Sequence, residues 1–393
     1  MIVIAGKNNI AVYALEVIFR QFGQDSVVVI PNKNDDGKDG WQRSLRKKAK
    51  ELGVQVLSLS EVQKIKSVSL FLSLEYDSII EPQNFSTDRI FNIHFSDLPD
   101  YKGMYTSFWP IINGDSGAAV TLHKIDSGID TGDVVGKRKF AISSHDRSID
   151  LYQKYIKNSM ILFDEFLGAL ISGDFLTSPQ GSTMSRYYSK KSIDYSTVQI
   201  DLKVTAWQLK RQVYAYSFRP YQLPIIEGKP VVEVEITSQR SLLRPGYVIN
   251  QDQNHVCMST IDYDVNIYFD MLESFLAEVP EMELNAFNNK LKNIAGVNDR
   301  NANGWSPIIV AAYHGREDLI SELLSRGANV NDQNVKGTSV LMYAKDFCLQ
   351  HKNRSLFNLL VNNGADINLL DFKGKMLVDY LSPVERDFFK IKI

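Results

Sequence analysis

A pattern that repeats every 33 residues limits the folds open to the C-terminal part of this chain more than any other feature. Each unit begins at a glycine in a polar turn and ends in a Gly-Ala-(Asn/Asp)-x-Asn sequence. A unit of this length is one supersecondary structure that cannot bury its apolar face alone, so neighbouring units must stack. The repeated segments are Asn303-Gly304, Gly327-Ala-Asn-Val-Asn331, Lys336-Gly337 and Gly364-Ala-Asp-Ile-Asn368.

Both ends of this repeat are irregular. The pattern restarts at Phe372-Lys-Gly374, 37 residues after Gly337, so we place an insertion of four residues within residues 347–354. Upstream, Gly296-Val-Asn298 matches the end of a degenerate first unit. We therefore expect about three units with atypical ends, which is near the minimum for a stable stack.

The repeat resembles the ankyrin family over residues 281–393, which implies an all-α C-terminal domain that we place at residues 266–393. One departure is Ile309, which stands where the family usually has a His, so a hydrogen bond of the turn is lost while the packing is kept. Trp305 stands where the family usually has a small residue or Lys. It either packs in the turn or the core, or forms an accessory site for a ligand or protein partner.

The first 140 residues alternate short apolar strands with amphipathic helices. This alternation predicts a mostly parallel α/β sheet of the Rossmann type, in which ligands bind beyond the carboxyl ends of the strands. We assign residues 1–190 to this domain and interpret the polar residues 172–190 as a linker. We predict strands at 2–5, 26–30, 54–59, 68–74, 90–95, 118–124 and 134–141, and helices at 10–22, 41–52 and 149–171.

A small, mainly-β second domain is predicted at residues 191–265. It begins with a helix at 204–214, continues through the aromatic and proline-rich segment Phe218-Arg-Pro-Tyr-Gln-Leu-Pro224, and contains strands at 231–237 and 246–250.

Composition excludes several classes of function. A net charge of -2 argues against a dominant nucleic-acid role, which usually shows a basic footprint. Two distant cysteines, Cys257 and Cys348, provide neither a disulfide framework nor a thiolate metal site, so we expect a reduced, cytoplasmic protein without metal. No apolar run reaches the roughly 20 residues of a membrane span, and the apolar N-terminus is a strand rather than a signal peptide.

The chemically informative stretch is Asn92-Ile-His94-Phe-Ser-Asp-Leu-Pro99, which begins on a predicted strand. Because residues i and i+2 of a strand point to the same face, Asn92 and His94 project into the same space. A Gly-rich acidic loop follows, in which Asp130 stands between two glycines. We interpret His123, on the strand before this loop, as structural, whereas Asp133 either reacts or caps the loop.

An Asn-x-His, a Leu-Pro turn and then an Asp in a Gly-rich loop resemble the folate-dependent formyltransferase family. The family includes glycinamide ribonucleotide, methionyl-tRNA and nucleotide-sugar formyltransferases. Asn92, His94 and Asp130 match its three positions; the resemblance is close over about the first 140 residues and weakens through the second domain. It implies transfer of a formyl group from N10-formyltetrahydrofolate to an amine.

The residue types suit this chemistry. Formyl transfer passes through a tetrahedral intermediate with an oxyanion, to which the amide of Asn92 and the imidazolium of His94 can both donate, each donor being worth roughly 3 kcal/mol. Asp130 can hold His94 protonated by its charge, and it can remove the proton of the amine directly or through water.

The family resemblance also indicates where the carrier binds. The pterin lies near the end of the strand before Asn-x-His and against the Asp-bearing loop, so we assign Tyr76, Asp77, Ile79 and Asp130 to the carrier. Tyr76 can equally pack against the sheet end.

A strand-to-helix turn at Lys7, Asn8 and Asn9 offers N–H groups and a helix dipole to an anion, unless Asn8 or Asn9 only caps the helix. We assign this turn to the substrate, together with Tyr105, Arg219 and Tyr221. Arg219 and Tyr221 lie in a segment that resembles one found in nucleotide-sugar formyltransferases, where aromatics could stack a base and Arg could pair with phosphate; these aromatics could instead be interdomain core.

Overall the chain most resembles enzymes that formylate dTDP-linked amino-dideoxysugars, which implies a homodimer and bacterial polysaccharide biosynthesis, such as that of O-antigen. Three alternatives remain. Methionyl-tRNA formylation needs a basic face, for which Lys203, Lys210 and Arg211 are few. A deformylase would pass the formyl group to water. A non-catalytic scaffold would recruit partners through the ankyrin repeats.

Overall fold

The computed structural model describes residues 1–181, 185–198 and 200–391, and the chain divides into two compact units. The first unit comprises Met1–Val198 and Tyr214–Phe218, and the second comprises Gln199–Val213 and Arg219–Ile393. The predicted boundary at residue 190 thus lies eight residues before the first unit's main segment ends, and the two predicted C-terminal domains belong to one unit.

The first unit is built on a seven-stranded sheet, with a separate two-stranded ribbon. Its strands are β1 (Ile2–Gly6), β2 (Val27–Pro31), β3 (Gln55–Val56), β4 (Leu70–Leu74), β5 (Ile90–His94), β6 (Lys102–Gly103), β7 (Gly117–Lys124), β8 (Val134–Ala141) and β9 (Tyr187–Tyr188). The order is β3-β2-β1-β4-β5-β7-β8, in which the first five run parallel and β7 and β8 are antiparallel to their neighbours. The predicted mostly parallel α/β sheet is confirmed.

The helices of this unit follow the predicted order, with one late start. They are α1 (Asn8–Phe22), α2 (Leu45–Leu52), α3 (Leu59–Val62), α4 (Trp109–Asn113) and α5 (Ser148–Ser172). The helix predicted from residue 41 begins at Leu45 because the Ser44 hydroxyl accepts the Lys47 N–H at 3.0 Å and caps it there. Strands β1, β2 and β4 are buried at every position, as expected for parallel strands covered on both faces.

Residues 172–181 and 185–190, which belong to the segment predicted to be a linker, instead pack within the first unit. Ser178 forms a β-bridge with Val134, and β9 pairs in parallel with β6. The polar side chains that made this segment look like a linker form hydrogen bonds to loops of the sheet, as described below.

The second unit contains the predicted small, mainly-β module. Helix α6 (Ala206–Tyr216), which runs on into the first unit, precedes a five-stranded antiparallel sheet of order β10-β11-β14-β13-β12. Its strands are β10 (Ile225–Ile226), β11 (Lys229–Ile236), β12 (Val248–Gln251), β13 (His255–Ser259) and β14 (Asp264–Phe269). The predicted boundary at residue 265 falls inside β14, which pairs with β11 as far as Phe269.

Paired helices follow this sheet within the same unit. They are α7 (Leu272–Glu278), α8 (Leu284–Lys290), α9 (Pro307–Tyr313), α10 (Glu317–Ser325), α11 (Val340–His351), α12 (Ser355–Asn362) and α13 (Pro383–Phe389). The predicted insertion lengthens α11, which has 12 residues whereas α9 has 7. The Asn293 amide joins helices to sheet, since it donates to Asn254 O at 2.7 Å and Phe269 O at 3.1 Å.

Short 3-10 turns lie at Gln24–Ser26, Pro82–Asn84, Lys190–Ser192, Tyr195–Thr197, Leu291–Asn293 and Leu377–Tyr380. Within the part of the chain that the structure describes, no helix has the length and apolar character needed to cross a membrane.

Candidate active site

Four polar side chains converge near the carboxyl end of β5. Asn92 and His94 lie on β5, and the antiparallel register with β7 places His123 opposite Asn92. The fourth, Asp130, lies in the loop between β7 and β8, where its backbone adopts a φ of 54°. Strand pairing and one loop therefore bring together residues that lie up to 38 positions apart in the sequence.

Asp130 is the centre of this cluster. One carboxylate oxygen, Oδ2, lies 3.5 Å from His94 Nδ1 and accepts the Gly103 N–H at 2.9 Å. The other, Oδ1, lies 3.6 Å from His123 Nε2 and 3.5 Å from Asn92 Nδ2. The three predicted catalytic residues thus meet in space, with Asp130 3.5 Å from both His94 Nδ1 and Asn92 Nδ2.

The hydrogen bonds of the two histidines define which ring nitrogens carry hydrogen. His94 Nε2 lies 2.9 Å from the carbonyl oxygen of Tyr101, and His123 Nδ1 lies 2.6 Å from that of Lys124. A carbonyl oxygen only accepts, so both nitrogens must donate. The opposite nitrogens, His94 Nδ1 and His123 Nε2, consequently face Asp130 and are the ones able to exchange a proton there.

The Asp130 side chain is buried, with only 12% of its surface exposed, yet its carboxyl is held ionised. Burial alone would raise its pKa. The charge of His94, the His123 hydrogen bond and the Gly103 N–H outweigh burial and lower the pKa below the ordinary range of Asp. A stable carboxylate beside two imidazoles is suited to stabilising an imidazolium.

His123 was predicted to be structural, and the structure gives it two kinds of contact. Its bond to the Lys124 carbonyl is the structural one, while its Nε2 lies 3.2 Å from the Asn92 amide and faces Asp130. The signal that could have identified it is strand pairing: a His directly opposite Asn92 in an antiparallel pair must share its surroundings.

Comparison with known proteins agrees with this geometry. Residues 3–166 match the formyl transferase family, and residues 276–371 match ankyrin repeats in three copies. The crystal structure of WlaRD, a sugar 3N-formyl transferase in the presence of dTDP and 5-N-formyl-THF, is 38% identical with a TM-score of 0.63, covering 68% of this chain and 97% of that one. The chain belongs to the folate-dependent formyltransferase family.

Further relatives in this family differ in what they formylate. An N-formyltransferase from Helicobacter canadensis, in complex with folinic acid and dTDP-3-aminofucose, is 36% identical with a TM-score of 0.63 over 68% of this chain and 98% of that one. The methionyl-tRNA formyltransferase of Borrelia recurrentis (strain A1) is 24% identical over 336 residues, 82% of this chain and 98% of that protein. The predicted formyltransferase, its formyl-tetrahydrofolate carrier and its ankyrin repeats are confirmed.

The turn predicted to bind an anion in this formyltransferase lies at the carboxyl end of β1. Lys7 is the N-cap of α1 and makes no side-chain capping bond. The Asn8 amide donates to Glu75 at 3.2 Å and to the Tyr152 hydroxyl at 2.9 Å, and the Asn9 side chain accepts the Arg43 N–H at 3.0 Å. These two side chains therefore anchor the turn, and its role as a phosphate site stays a prediction.

The carrier residues predicted from the family lie in the loop after β4. Tyr76 packs with Ile125 against one hydrophobic cluster, and burial raises its pKa. Asp77 accepts the Lys33 N–H at 3.1 Å, and Ile79 is 74% exposed. An exposed apolar side chain in this loop suits a flat, partly apolar ring system, and the assignment stays a prediction.

The other predicted binding residues make different kinds of contact. Tyr105, in the first unit, donates to the Lys190 carbonyl at 3.0 Å. In the second unit, Arg219 forms ion pairs with Asp270 and Asp299, which hold its pKa above the usual range although burial opposes this. The guanidinium is thus already paired with two carboxylates of the same unit. Its predicted contact with phosphate gains no support from the structure and stays a prediction. Tyr221 is 66% exposed.

Trp305 forms a cluster with two tyrosines of the ankyrin helices. Its ring centroid lies 5.8 Å from that of Tyr313 and 5.1 Å from that of Tyr343. It is half-buried and packs against the repeat core. Its role as an accessory site stays a prediction. Among the residues that the structure describes, no group of three His, Cys, Asp or Glu side chains is placed to hold a metal ion.

Proposed function

We propose that this protein transfers a formyl group from N10-formyltetrahydrofolate to the amino group of a dTDP-linked amino-dideoxyhexose. The observation that carries the proposal is a difference in sequence identity to two groups of relatives. Two sugar formyltransferases are 38% and 36% identical to this chain over nearly their whole length, whereas a methionyl-tRNA formyltransferase is 24% identical.

Three of the four clustered side chains, Asn92, His94 and Asp130, supply the groups that this reaction needs. The carrier supplies a formyl group whose oxygen becomes negatively charged as the amine attacks. Asn92 Nδ2 is one donor for that charge and a protonated His94 Nδ1 is the other, because Tyr101 O occupies His94 Nε2 at 2.9 Å whereas Asp130 Oδ2 lies 3.5 Å from Nδ1, beyond a normal hydrogen bond. Asp130 stabilises the imidazolium of His94 and accepts the proton released by the amine, directly or through water. That proton passes to N10 of the carrier as the bond between N10 and the formyl carbon breaks and tetrahydrofolate leaves.

The test is an assay of tetrahydrofolate release with N10-formyltetrahydrofolate and a panel of dTDP-linked amino sugars that carry the amine at different ring carbons. We expect turnover with at least one of them. The Asp130→Asn protein serves as the inactive reference. If no sugar in the panel supports turnover while the carrier still binds, the proposed acceptor is wrong.

Methionyl-tRNA is a second candidate acceptor, favoured by the coverage of the Borrelia enzyme, which extends over 98% of its length. A net charge of -2 disfavours it. Charged initiator tRNA in the same assay separates the two. A tRNA substrate would also show a turnover that falls steeply as salt rises, because phosphate contacts release counterions, whereas a dTDP-sugar would not.

The remaining predictions extend this proposal. A homodimer in the cytoplasm would supply formylated sugar nucleotides to polysaccharide assembly, such as that of O-antigen, and the ankyrin repeats would hold a protein partner or, at Trp305, an accessory ligand. Light scattering of the purified protein tests the dimer directly.

A further inference from the structure

Residues 178–181 and 185–189, which we call the clamp segment, contact both the loop that carries Asp130 and the loop that carries Tyr101 and Gly103. We propose that Gln180 and Arg186 of this segment are positioning residues that fix Asp130 and His94 for formyl transfer. The proposal rests on the catalytic roles given above to Asp130 and His94. The two residues act through neighbours and touch neither of the catalytic side chains.

Gln180 holds the Asp130 loop through its backbone. Its Nε2 donates one hydrogen to the carbonyl of Asp130 and the other to that of Gly132, both at 2.8 Å. Asp130 has a left-handed φ of 54°, which is unfavourable for a residue with a side chain. At Gly132 a Cβ would lie 2.0 Å from the Lys124 carbonyl, so the loop is pressed directly onto β7. The two bonds from Gln180 hold this strained loop in place.

Arg186 holds the other side of the cluster. Its guanidinium makes two hydrogen bonds to Asp100, at 2.7 and 2.5 Å, and lies 4.2 Å from the centre of the Tyr101 ring. Tyr101 also has a left-handed φ, of 54°, and its carbonyl accepts the Nε2 hydrogen of His94. Arg186 therefore acts on His94 through a single intervening residue, Tyr101.

The backbone of the clamp segment completes the contact. Arg186 O accepts the Lys102 N–H and Tyr188 O accepts the Met104 N–H, each at 2.8 Å. Between them, the Gly103 N–H points to Asp130 Oδ2. A Cβ on Gly103 would lie 2.2 Å from Tyr188 O, so only glycine allows this approach. One segment thus restrains both neighbours of His94: the Tyr101 carbonyl at Nε2 and the Asp130 carboxylate at Nδ1.

The decisive variant is Gln180→Leu, which keeps the size of the side chain and removes its donors. A shift of about 1 Å in a reacting group can cost roughly 100-fold in rate, so we expect kcat to fall by about that factor while KM for both substrates stays within about threefold. Arg186→Lys, which keeps the charge and loses the paired bonds, should lower kcat by about 10-fold.

The matched control is Gln24→Leu. Gln24 also donates to a backbone carbonyl, that of Gly53 at 2.6 Å, and it lies outside the catalytic cluster. We expect normal kcat and KM for it. A kcat for Gln180→Leu within about threefold of the unmodified protein would overturn the proposal.

A crystal structure of Gln180→Leu provides a readout that does not depend on the acceptor. We expect the Asp130 carboxylate to leave His94 Nδ1, from which it lies 3.5 Å in the unmodified protein. An unchanged distance would also overturn the proposal. If the unmodified protein formylated no sugar nucleotide, the proposed acceptor would fail, and this structural result would still decide the role of Gln180. Arg186→Lys gives the same readout if Gln180→Leu does not fold.

Discussion

The candidate catalytic cluster around Asp130 and the aromatic cluster around Trp305 are assembled in opposite ways. The cluster around Asp130 depends on a carbonyl from Tyr101 and a backbone N–H from Gly103, which lie in one segment, and on the side chain of Gln180, which lies in another. Trp305 and Tyr343 instead come from neighbouring repeats, whose stacking alone brings them together. We therefore expect single changes near Asp130 to alter chemistry, and single changes in the repeats to alter stability.

His94→Ala tests this contrast most severely. The change removes a donor to the developing oxyanion and the partner of Asp130, so we expect kcat to fall by about 1000-fold. Steady-state kinetics with the active sugar nucleotide, together with circular dichroism, would show whether the loss of turnover occurs in a folded protein.

His145→Ala is the control for that measurement. His145 is an exposed histidine of the same unit, hydrogen-bonded only to its neighbours Ser143 and Ser144 among the described contacts. It should keep normal turnover. A His94→Ala protein with near-normal kcat would remove His94 from the catalytic assignment.

Asn92, His94 and Asp130 could be singled out from the sequence because their types and order suit the proposed chemistry. Asn92 and His94 lie two positions apart on one strand, so local alternation already placed them on the same face. The sequence alone could not show which distant segments contact these residues. Gln180 and Arg186 lie in a polar segment without periodicity, and only the folded chain shows that they contact the loops of Asp130 and Tyr101.

The same reasoning explains the errors in the fold. The repeat period predicted the ankyrin helices and the insertion in α11 because each unit packs on its neighbour. The boundary predicted at residue 265 falls inside β14, which continues to Phe269, because a strand end is not marked by composition. Helix α2 begins later than predicted because the Ser44 hydroxyl caps it. A serine at the start of a helix is a local sequence signal that could have placed this boundary.

Gly304→Ala tests the other half of the contrast. Gly304 has a φ of 77°, and a Cβ there would lie 2.6 Å from the Val335 N atom of the next repeat. Strain and collision together should lower the free energy of unfolding by about 2–3 kcal/mol. Thermal unfolding measures this, and kcat should stay within about twofold because the formyltransferase site lies in the other unit.

Gly327→Ala separates the two causes of that loss. Gly327 has a similar φ of 86°, yet a Cβ there would meet nothing within 4 Å. It should therefore show only the strain of the left-handed conformation, about 1 kcal/mol. Equal losses for both variants would contradict the collision with Val335, and a large fall in kcat for either would contradict the independence of the repeats from catalysis.

The smallest expected effect concerns Glu75, a second buried carboxyl of the formyltransferase unit. Burial raises its pKa, and Lys7, Tyr152 and Asn8 only partly oppose this, whereas the contacts of Asp130 lower the pKa of that carboxyl. A raised pKa in the folded state means that stability is fully present below the ordinary pKa of Glu and is lost as pH rises. Glu75→Gln removes that charge, so the variant should melt at a higher temperature than the unmodified protein at about pH 8. Each kcal/mol gained in unfolding free energy raises the melting temperature by roughly 2–4 °C. The difference should shrink towards about pH 4, where the Glu75 carboxyl is protonated in both states.

Glu61→Gln is the matched control with the opposite sign. Glu61 is exposed, and its hydrogen bonds to the Ser58 hydroxyl and N–H lower its pKa. A lowered pKa means that its contribution is present above the ordinary pKa of Glu and is lost as pH falls. Glu61→Gln should therefore melt slightly lower than the unmodified protein at about pH 8, and the two should converge in acid. If Glu75→Gln also melted lower at about pH 8, the Glu75 carboxylate would be stabilising the turn at Asn8, and the difference drawn here between the two buried carboxyls would be wrong.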